Sequence, residues 1–286
     1  MKILITGAKG MLGTDLANVL SQEHQVIGVD IDDFDITDAV RTKEKIREIA
    51  PEFIIHPAAY TDVDGCETNI ELAYKVNAIG TQNIALSCQD GGIPMLYVST
   101  DFVFDGRKTS PYLEWDSANP LSVYGASKYA GEQLVSRLLN KYYIVRIAWL
   151  YGEHGKNFVK TILRLSDERD KLQVVDDQVG SPTYSLDVAR GIAKLIQTEN
   201  YGVYHMVNKG ETSWYGFAQK ILELSGKGQF PVEPISSSML KRPAVRPAYS
   251  VLRNLALELT IGDIMRSWES ALGEFIKQKI LKESRA

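Results

Sequence analysis

The sequence predicts an α/β protein with a doubly wound parallel sheet and a second, smaller lobe that mixes helices and strands. Short apolar runs alternate with segments of helical period through the first half of the chain, and this order is typical of parallel strands joined by crossover helices. After Tyr151 the alternation loosens. The stretch 231–247 contains four of the ten prolines, so we expect an ordered, ligand-facing or linking segment there rather than a core element.

The predicted strands of the first half are nearly all apolar, as a sheet covered by helices on both faces requires. They are Lys2–Thr6, Gln25–Val29, Phe53–His56, Met95–Ser99 and Tyr143–Ile147. The helices between them carry apolar residues three and four positions apart and end at breakers; they are Met11–Leu20, Ala39–Ile49, Ile70–Gln89 and Tyr124–Leu139. In the second lobe the same pattern predicts Phe158–Leu165, Leu186–Gln197, Trp214–Leu224 and Ser267–Lys277.

A glycine-rich loop, Thr6–Gly13, follows the first strand, and a helix begins inside it. Glycine is needed where the chain turns off a strand, where the backbone approaches a phosphate and where helix packs closely on strand; Gly7, Gly10 and Gly13 fit these positions. The exposed amides and the positive end of the helix dipole attract the pyrophosphate of a dinucleotide. The spacing is three-three, not the two-three of most dehydrogenases. The loop predicts a Rossmann-type dinucleotide site, with further contacts from Lys9, Met11 and Leu12.

We therefore place a dinucleotide-binding domain at residues 1–150, with a return of the chain to it near residues 177–197, and a substrate-binding lobe at residues 151–286. Asp30 ends the second strand, where a carboxylate would accept hydrogen bonds from the adenosine ribose and favour NADH. A contact between Lys9 and the 2′-phosphate of NADPH would favour that cofactor instead, and a solvated loop lysine is an equal alternative, so the sequence leaves both cofactors open. Asp35 and Ile36 are expected beside the adenine, while Thr37 or Asp38 alternatively caps the next helix.

Composition excludes several other classes of protein. The chain has 286 residues, of which 44% are hydrophobic and 24% charged, as in an ordinary globular protein. A net charge of −4 without a long basic run argues against nucleic-acid binding, and no apolar stretch is long enough to span a membrane. Two cysteines and four scattered histidines form no disulfide framework or metal signature, which favours a reducing cytoplasm and predicts no metal site.

A tyrosine and a lysine, Tyr124 and Lys128, lie one turn apart at the start of the predicted fourth helix. Residues four positions apart share a helical face, so the ammonium is expected near the phenol, where it would lower the phenol's pKa and suit it to general acid catalysis. Such a pair alone is usually a surface feature. Here Ser99-Thr100-Asp101 ends a neighbouring strand at the sheet edge where doubly wound folds bind ligands, although these residues could equally satisfy their own backbone or cap a turn.

Together these motifs resemble an extended short-chain dehydrogenase/reductase, and in particular the dTDP-4-dehydrorhamnose reductase family. The resemblance covers nearly the whole chain. It rests on the glycine loop, Ala58–Asp64, Ser99–Phe104, Tyr124–Glu132, Arg146–Gly152, Asp177–Thr183 and Arg246–Ser250.

The resemblance implies a role for each matching residue. Thr100, Tyr124 and Lys128 correspond to the catalytic triad, and NADPH or NADH would reduce the C4 ketone of a dTDP-4-keto-6-deoxysugar. Lys128 would also bind the nicotinamide ribose and depress the pKa of Tyr124. The expected cofactor contacts continue through Ala58, Ala59 and Tyr60. The expected sugar-pocket residues are Thr61, Val63, Asp101, Phe102 and Trp149, and Arg246 would contact the nucleotide diphosphate. For Trp149, a core position is an equal alternative. A homodimer is a further implication.

The sequence departs from the family pattern at two places, and these departures affect the prediction of the substrate more than that of the reaction class. His56-Pro57 stands where many relatives have smaller or amide residues, and Phe102 replaces the usual tyrosine. The rival hypotheses are a 4,6-dehydratase, an epimerase, a reductase forming the other C4 stereoisomer, and a non-catalytic regulatory subunit like that of methionine adenosyltransferase. A dehydratase would carry an acid after Asp101, where this chain has Phe102, and the intact Tyr124–Lys128 pair favours an enzyme.

Overall fold

The computed structural model describes residues 1–283. Its strands are β1 Lys2–Thr6, β2 Gln25–Val29, β3 Phe53–His56, β4 Met95–Thr100, β5 Tyr142–Ile147, β6 Leu150–Tyr151, β7 Leu172–Val175, β8 Val179–Gly180, β9 Thr183–Tyr184, β10 Gly202–His205, β11 Thr212–Ser213 and β12 Val232–Ile235. Its helices are α1 Met11–Leu20, α2 Ala39–Ile49, α3 Val63–Thr68, α4 Ile70–Tyr74, α5 Thr81–Gly91, α6 Val123–Leu138, α7 Phe158–Glu168, α8 Ser185–Leu195, α9 Trp214–Leu224, α10 Leu255–Ile261 and α11 Trp268–Glu283.

The central sheet confirms the predicted fold class. It has six strands in the order β10-β5-β4-β3-β1-β2, and every pairing in it is parallel. The chain order reverses around β1, so the crevice beyond the carboxyl ends of β1 and β3 is the expected ligand site of a doubly wound fold. The sixth strand, β10, was not predicted, because its four residues, GVYH, are too short to show a clear pattern.

Helices cover both faces of this sheet. Ile3 and Ile5 of β1 face one apolar cluster with α1 and α8, while Leu4 faces another with α2, α5 and α6. All three side chains are fully buried. This double coverage explains why β1 is apolar without alternation.

The predicted helix Ile70–Gln89 is interrupted by a π-helical turn at Lys75–Gly80, between α4 and α5. The turn contains buried Asn77, whose side-chain amide bonds both backbone groups of Tyr60 and the Ser127 hydroxyl. A π turn inside a helix commonly marks a functional region, and this one fixes the segment that follows β3 against α6. Periodicity alone does not reveal such a turn.

The second lobe is built around the helices α7, α9 and α11, which enclose an aromatic core containing Tyr151, Phe217 and Phe275. β12 lies inside the proline-rich stretch 231–247 and pairs with β7, so part of this stretch is regular structure. Between these elements the chain returns to the first lobe, where α8 packs on α1 and β10 extends the sheet. The division at residue 150 stays a prediction. Within residues 1–283, no helix has the length and apolarity to cross a membrane.

A buried ion pair joins α6 to the sheet. Arg146 of β5 donates to both carboxylate oxygens of Glu132, at 2.9 and 2.7 Å, and both side chains are almost inaccessible. Arg146 also donates to the Glu114 carbonyl oxygen and lies 3.5 Å from the ring of buried His205. Because burial and the nearby guanidinium hold the pKa of His205 at about 3, this ring is neutral and adds no second positive charge.

Candidate active site

A cleft of about 950 Å³ opens at the carboxyl edge of the sheet, between the two lobes. Its size is near the upper end for ligand pockets. Its walls include most of the residues singled out from the sequence: Gly7, Lys9, Gly10, Met11, Leu12, Gly13, Asp30, Asp35, Ile36, Ala58, Ala59, Thr61, Val63, Thr100, Asp101, Phe102, Tyr124, Lys128, Trp149 and Arg246.

The glycine loop has the geometry of a phosphate cradle. Gly7 has a φ of 60°, and a Cβ there would lie 2.8 Å from the backbone of Ala58 on the loop after β3. A Cβ on Gly13 would lie 2.2 Å from the Gly7 carbonyl oxygen. Gly10 caps α1 without a side chain, which leaves the amides of the first turn open toward the cleft. The loop therefore fits a dinucleotide pyrophosphate.

Asp30 lies at the end of β2, where a ribose is expected. Its carboxylate accepts from the backbone amides of Lys9, at 2.9 Å, and Ile31, at 2.8 Å. The Lys9 ammonium is paired with Asp32 at 2.5 Å, and both side chains are largely exposed. A 2′-phosphate would therefore have to compete with Asp32 for Lys9. The Asp38 side chain caps α2 by accepting from the Arg41 backbone amide, and Asp38 was one of the two residues expected to cap this helix.

Replacing Asp30 by alanine is expected to shift the preference of the protein toward NADPH by about tenfold, since the carboxylate offers charged hydrogen bonds to a ribose and repels a 2′-phosphate. The measurement is the ratio of the two Kd values, by nicotinamide fluorescence. A disturbed loop would weaken the binding of both dinucleotides alike, so the ratio of the Kd values reports only the effect of the carboxylate. Asp90→Ala, at an exposed carboxylate paired with Lys43, is the control. An unchanged ratio in Asp30→Ala would contradict this placement.

Tyr124 is held in the cleft by the start of α6. The Ser122 hydroxyl caps the helix by accepting from the Gly125 amide. Gly125 is required because a Cβ there would lie 2.2 Å from the Phe102 carbonyl oxygen. This close approach brings the Phe102 ring edge-on to the Tyr124 ring, with centroids 5.6 Å apart. The aromatic ring that replaces the usual tyrosine therefore supports the phenol without adding a hydroxyl.

Lys128 follows on the same face of α6 and is 2% exposed. Its ammonium donates to the Val98 carbonyl oxygen at 2.7 Å and lies 4.1 Å above the Tyr97 ring. Burial lowers the pKa of Lys128 to about 7, while the Glu132 carboxylate opposes that shift. The lysine can therefore change its charge near neutral pH.

The expected effect of Lys128 on Tyr124 is not present in this structure. Burial raises the pKa of Tyr124 above its ordinary value, although a hydrogen bond with Thr100 favours the phenolate. The ammonium is directed to Val98 instead, so it does not offset the burial. The raised pKa of the phenol still suits a catalytic acid, since an acid must hold its proton until the transition state.

The end of β4 places hydroxyl and carboxyl groups beside the phenol. Ser99, Thr100 and Asp101 are all nearly inaccessible to solvent. The Thr100 hydroxyl donates to one Asp101 oxygen at 3.0 Å and accepts from the Phe102 amide. The sequence left open that Ser99-Thr100-Asp101 caps a turn instead of binding a ligand. Thr100 does cap the short 3-10 turn that follows the strand.

Two stacked tryptophans form an aromatic wall of the cleft. Trp149 and Trp214 lie nearly parallel, with centroids 3.5 Å apart. Trp149 has a φ of 45°, a strained backbone conformation that often occurs at functional sites. Gly180 makes room for it, since a Cβ there would lie 2.4 Å from the indole ring. The structure thus places Trp149 on the cleft as well as against the second core.

Arg246 lines the cleft, and its guanidinium is hydrogen-bonded to Asp64. Its guanidinium donates to both oxygens of Asp64, at 2.8 and 3.1 Å, and to the Ala244 carbonyl oxygen. The guanidinium lowers the pKa of Asp64, so this carboxylate stays charged. Arg246 therefore links the second lobe to α3, and its expected contact with a nucleotide diphosphate stays a prediction. To meet a phosphate it would have to share or leave Asp64.

Tyr60 is the one expected cofactor residue that does not line the cleft. Asn77 binds its backbone amide and carbonyl, and its phenol points toward Gly65 and Asp62 of the α3 region. The neighbouring Ala58 and Ala59 do face the cleft. His56 is a core residue whose ring lies between the hydroxyls of Thr6 and Thr81.

Several residues of the cleft wall were not among the predicted site residues, and the two with the most evident chemistry are Trp214 and Lys156. Trp214 gave no signal, because a tryptophan at the start of a helix is usually a packing residue. Lys156 belongs to a short loop between β6 and α7 whose position depends on the packing of the second lobe.

The order of these parts is that of an extended short-chain dehydrogenase/reductase, with the phosphate loop beyond β1 and the phenol and ammonium beyond β4. Proteins of this class bind nicotinamide dinucleotides at such a loop.

Within that class, the chain belongs to the family described as the RmlD substrate binding domain, whose model matches residues 1–280. A dTDP-4-dehydrorhamnose reductase structure from Clostridium acetobutylicum is 47% identical with a TM-score of 0.95, covering 98% of this chain and 100% of that one. A dTDP-4-dehydrorhamnose reductase from Bacillus anthracis, in complex with NADP, is 44% identical with a TM-score of 0.94 and coverages of 97% and 99%. The dTDP-4-keto-6-deoxy-D-glucose reductase of Streptomyces niveus is 38% identical, covering 94% of each chain. The resemblance inferred from the motifs is thereby confirmed.

Proposed function

We propose that the protein reduces the C4 ketone of dTDP-4-dehydrorhamnose to give dTDP-L-rhamnose, using NADPH or NADH. The observation that carries the proposal is the Tyr124 phenol, which lines the same cleft as the glycine loop and lies beside Thr100. A phenol that keeps its proton at neutral pH, in a cleft built for a dinucleotide, suits the protonation of a sugar ketone.

Bound reduced nicotinamide would supply a hydride to C4 of the sugar. Tyr124 would give its proton to the ketone oxygen, and Thr100 would steady the charge that develops there. Lys128 would hold the nicotinamide ribose, and its positive charge would stabilise the phenolate left after proton transfer. Gly7, Gly10 and Gly13 would cradle the pyrophosphate, with Asp30 at the adenosine ribose and Asp35 and Ile36 at the adenine.

The sugar would lie between Tyr124 and the aromatic wall. Trp149 offers it an apolar face, with Thr61, Val63 and Phe102 around the remaining walls. Relatives above 40% identity carry the name dTDP-4-dehydrorhamnose reductase, which supports this substrate. The Streptomyces niveus relative is named for reduction of dTDP-4-keto-6-deoxy-D-glucose, and it makes that ketone the second candidate.

The test is a turnover assay with each of the two ketones and each of the two dinucleotides, followed by the loss of nicotinamide absorbance. We expect the rate with dTDP-4-dehydrorhamnose to exceed the rate with the glucose-configured ketone. The reverse order would select the second candidate. Tight dinucleotide binding without turnover of either ketone would support a regulatory protein instead.

We further propose that the protein acts in the cytoplasm as a homodimer. Two buried cysteines that form no disulfide are consistent with a reducing compartment. Light scattering of the purified chain tests the assembly, and a monomeric mass at micromolar concentration would reject it.

A further inference from the structure

Two polar atoms at the end of β4 are buried in the cleft with no hydrogen-bond partner among residues 1–283. They are Ser99 Oγ and Asp101 Oδ2. Asp101 is 2% exposed, and a carboxylate oxygen in such a place costs free energy unless it is neutralised or serves a function. A place in the sugar pocket, which the family resemblance implies for Asp101, gives its carboxyl group no part in proton transfer.

The surroundings of Asp101 favour its neutral form. Burial raises the pKa of Asp101 to about 6, against opposing hydrogen bonds from Ser250, Thr100 and the local backbone. The titratable groups that face this region are the Tyr124 phenol of α6 and, beside that phenol, the Cys66 thiol of α3. Lys128 lines the same cleft, but its ammonium donates to Val98. None of these groups places a cation against Asp101.

The protonation state of Asp101 decides which way the neighbouring hydroxyls point. When Asp101 is ionised, Thr100 donates to it across their 3.0 Å contact, and the Thr100 oxygen can then accept from the Tyr124 phenol. The phenolic proton then points to Thr100 rather than to a ketone. When Asp101 is protonated, it can donate to Thr100, Thr100 can donate to Tyr124, and the phenolic proton is directed to a ketone. The Phe102 amide donates to Thr100 at 3.2 Å, and this bond is compatible with either state, so it holds the hydroxyl in place.

We propose that Asp101 is a proton donor that reprotonates Tyr124 through the Thr100 hydroxyl during reduction of the ketone. The inference rests on the proposed function. Hydride from the nicotinamide forms the C–H bond at C4, and the electron pair of the carbonyl π bond takes the Tyr124 proton to form the O–H bond. The phenolate takes the proton of the Thr100 hydroxyl as that hydroxyl takes the proton of the Asp101 carboxyl group. Asp101 regains a proton from solvent when product leaves, so each turnover consumes one proton.

This arrangement predicts an alkaline limb in the pH dependence of kcat. Activity requires the protonated carboxyl group, so kcat is highest below the pKa of Asp101 and falls as pH rises through it. A bound sugar that excludes water strengthens burial and moves this limb upward from about 6.

The main variant is Asp101→Asn, which keeps the shape and can still donate a hydrogen bond to Thr100 but cannot transfer a proton. We expect kcat to fall about 10- to 100-fold and the alkaline limb assigned to Asp101 to disappear, with the Kd for NADPH and for dTDP unchanged. A variant with wild-type kcat and an unchanged limb would overturn the proposal. A raised KM for the sugar with the limb intact would also overturn it, and would make Asp101 a substrate contact.

A second variant and a spectroscopic readout separate a proton relay from a structural role. The Ser250 hydroxyl favours the charged form of Asp101, so Ser250→Ala should move the alkaline limb to higher pH. Carbon NMR of aspartate-labelled, dinucleotide-free protein should show a carboxyl group titrating near pH 6 that is absent in Asp101→Asn. Titration of Asp101 near its ordinary value would overturn the inference even if the ketone is reduced. Failure of the wild-type protein to reduce either ketone would instead reject the proposed function.

Discussion

Tyr124→Phe is expected to lower kcat about a thousandfold, because the change removes one oxygen that donates the proton to the ketone. The loss is large since burial keeps the phenol protonated and Asp101, which lies behind Thr100, is expected to pass its proton to the ketone only through the phenol. The Phe102 ring would still support the phenylalanine, so the helix start should keep its geometry. Steady-state kinetics with the ketone measures the effect.

The same variant should bind NADPH with a Kd within about threefold of wild type, since the glycine loop is unaffected. Tyr129→Phe is the matched control, because Tyr129 lies on α6 but does not line the cleft. Its kcat should be near that of wild type. An active Tyr124→Phe protein would remove the phenol from the role of acid, whatever its affinity for the dinucleotide.

Arg146→Met is expected to lower the free energy of unfolding by about 3 to 5 kcal/mol, because it leaves the Glu132 carboxylate buried without its guanidinium. The pair is bidentate and almost inaccessible, so water cannot replace the lost hydrogen bonds. Urea unfolding followed by circular dichroism measures the change, provided that the m-value stays constant.

The double variant Glu132→Gln plus Arg146→Met removes both charges and should recover much of that stability. Arg164→Met breaks an exposed pair with Glu168 and should change stability by less than about 0.5 kcal/mol. If Arg146→Met lowers the free energy of unfolding no more than this exposed control, the buried pair does not stabilise the contact between α6 and the sheet.

The fold was largely predictable from the sequence because the strong signals in it are local. β1, β2 and β3 were predicted with the bounds that the structure shows, since buried parallel strands are short and apolar. The π turn at Lys75–Gly80 was not predictable, because it depends on the buried Asn77 amide and its contacts with distant backbone. β10 depends in the same way on its place beside β5.

The candidate site was predictable where spacing along one element decides which residues meet. The glycine loop and the Tyr124–Lys128 pair are of this kind, and all of them line the cleft. Interactions between elements were not predictable. The Asp64–Arg246 pair joins residues 182 positions apart, and the Trp149–Trp214 stack depends on the packing of the second lobe. The pKa of Tyr124 depends on burial, which a helical spacing does not reveal.

The most direct measurement of the central claim follows deuterium from nicotinamide to sugar. The purified protein is incubated with dTDP-4-dehydrorhamnose and NADPH deuterated at the transferable position, and the product is examined by proton NMR. We expect one deuterium at C4 of dTDP-L-rhamnose, and none in a parallel reaction with Tyr124→Phe over the same period. A product without deuterium at C4, or an unchanged ketone with the wild-type protein, would contradict the account.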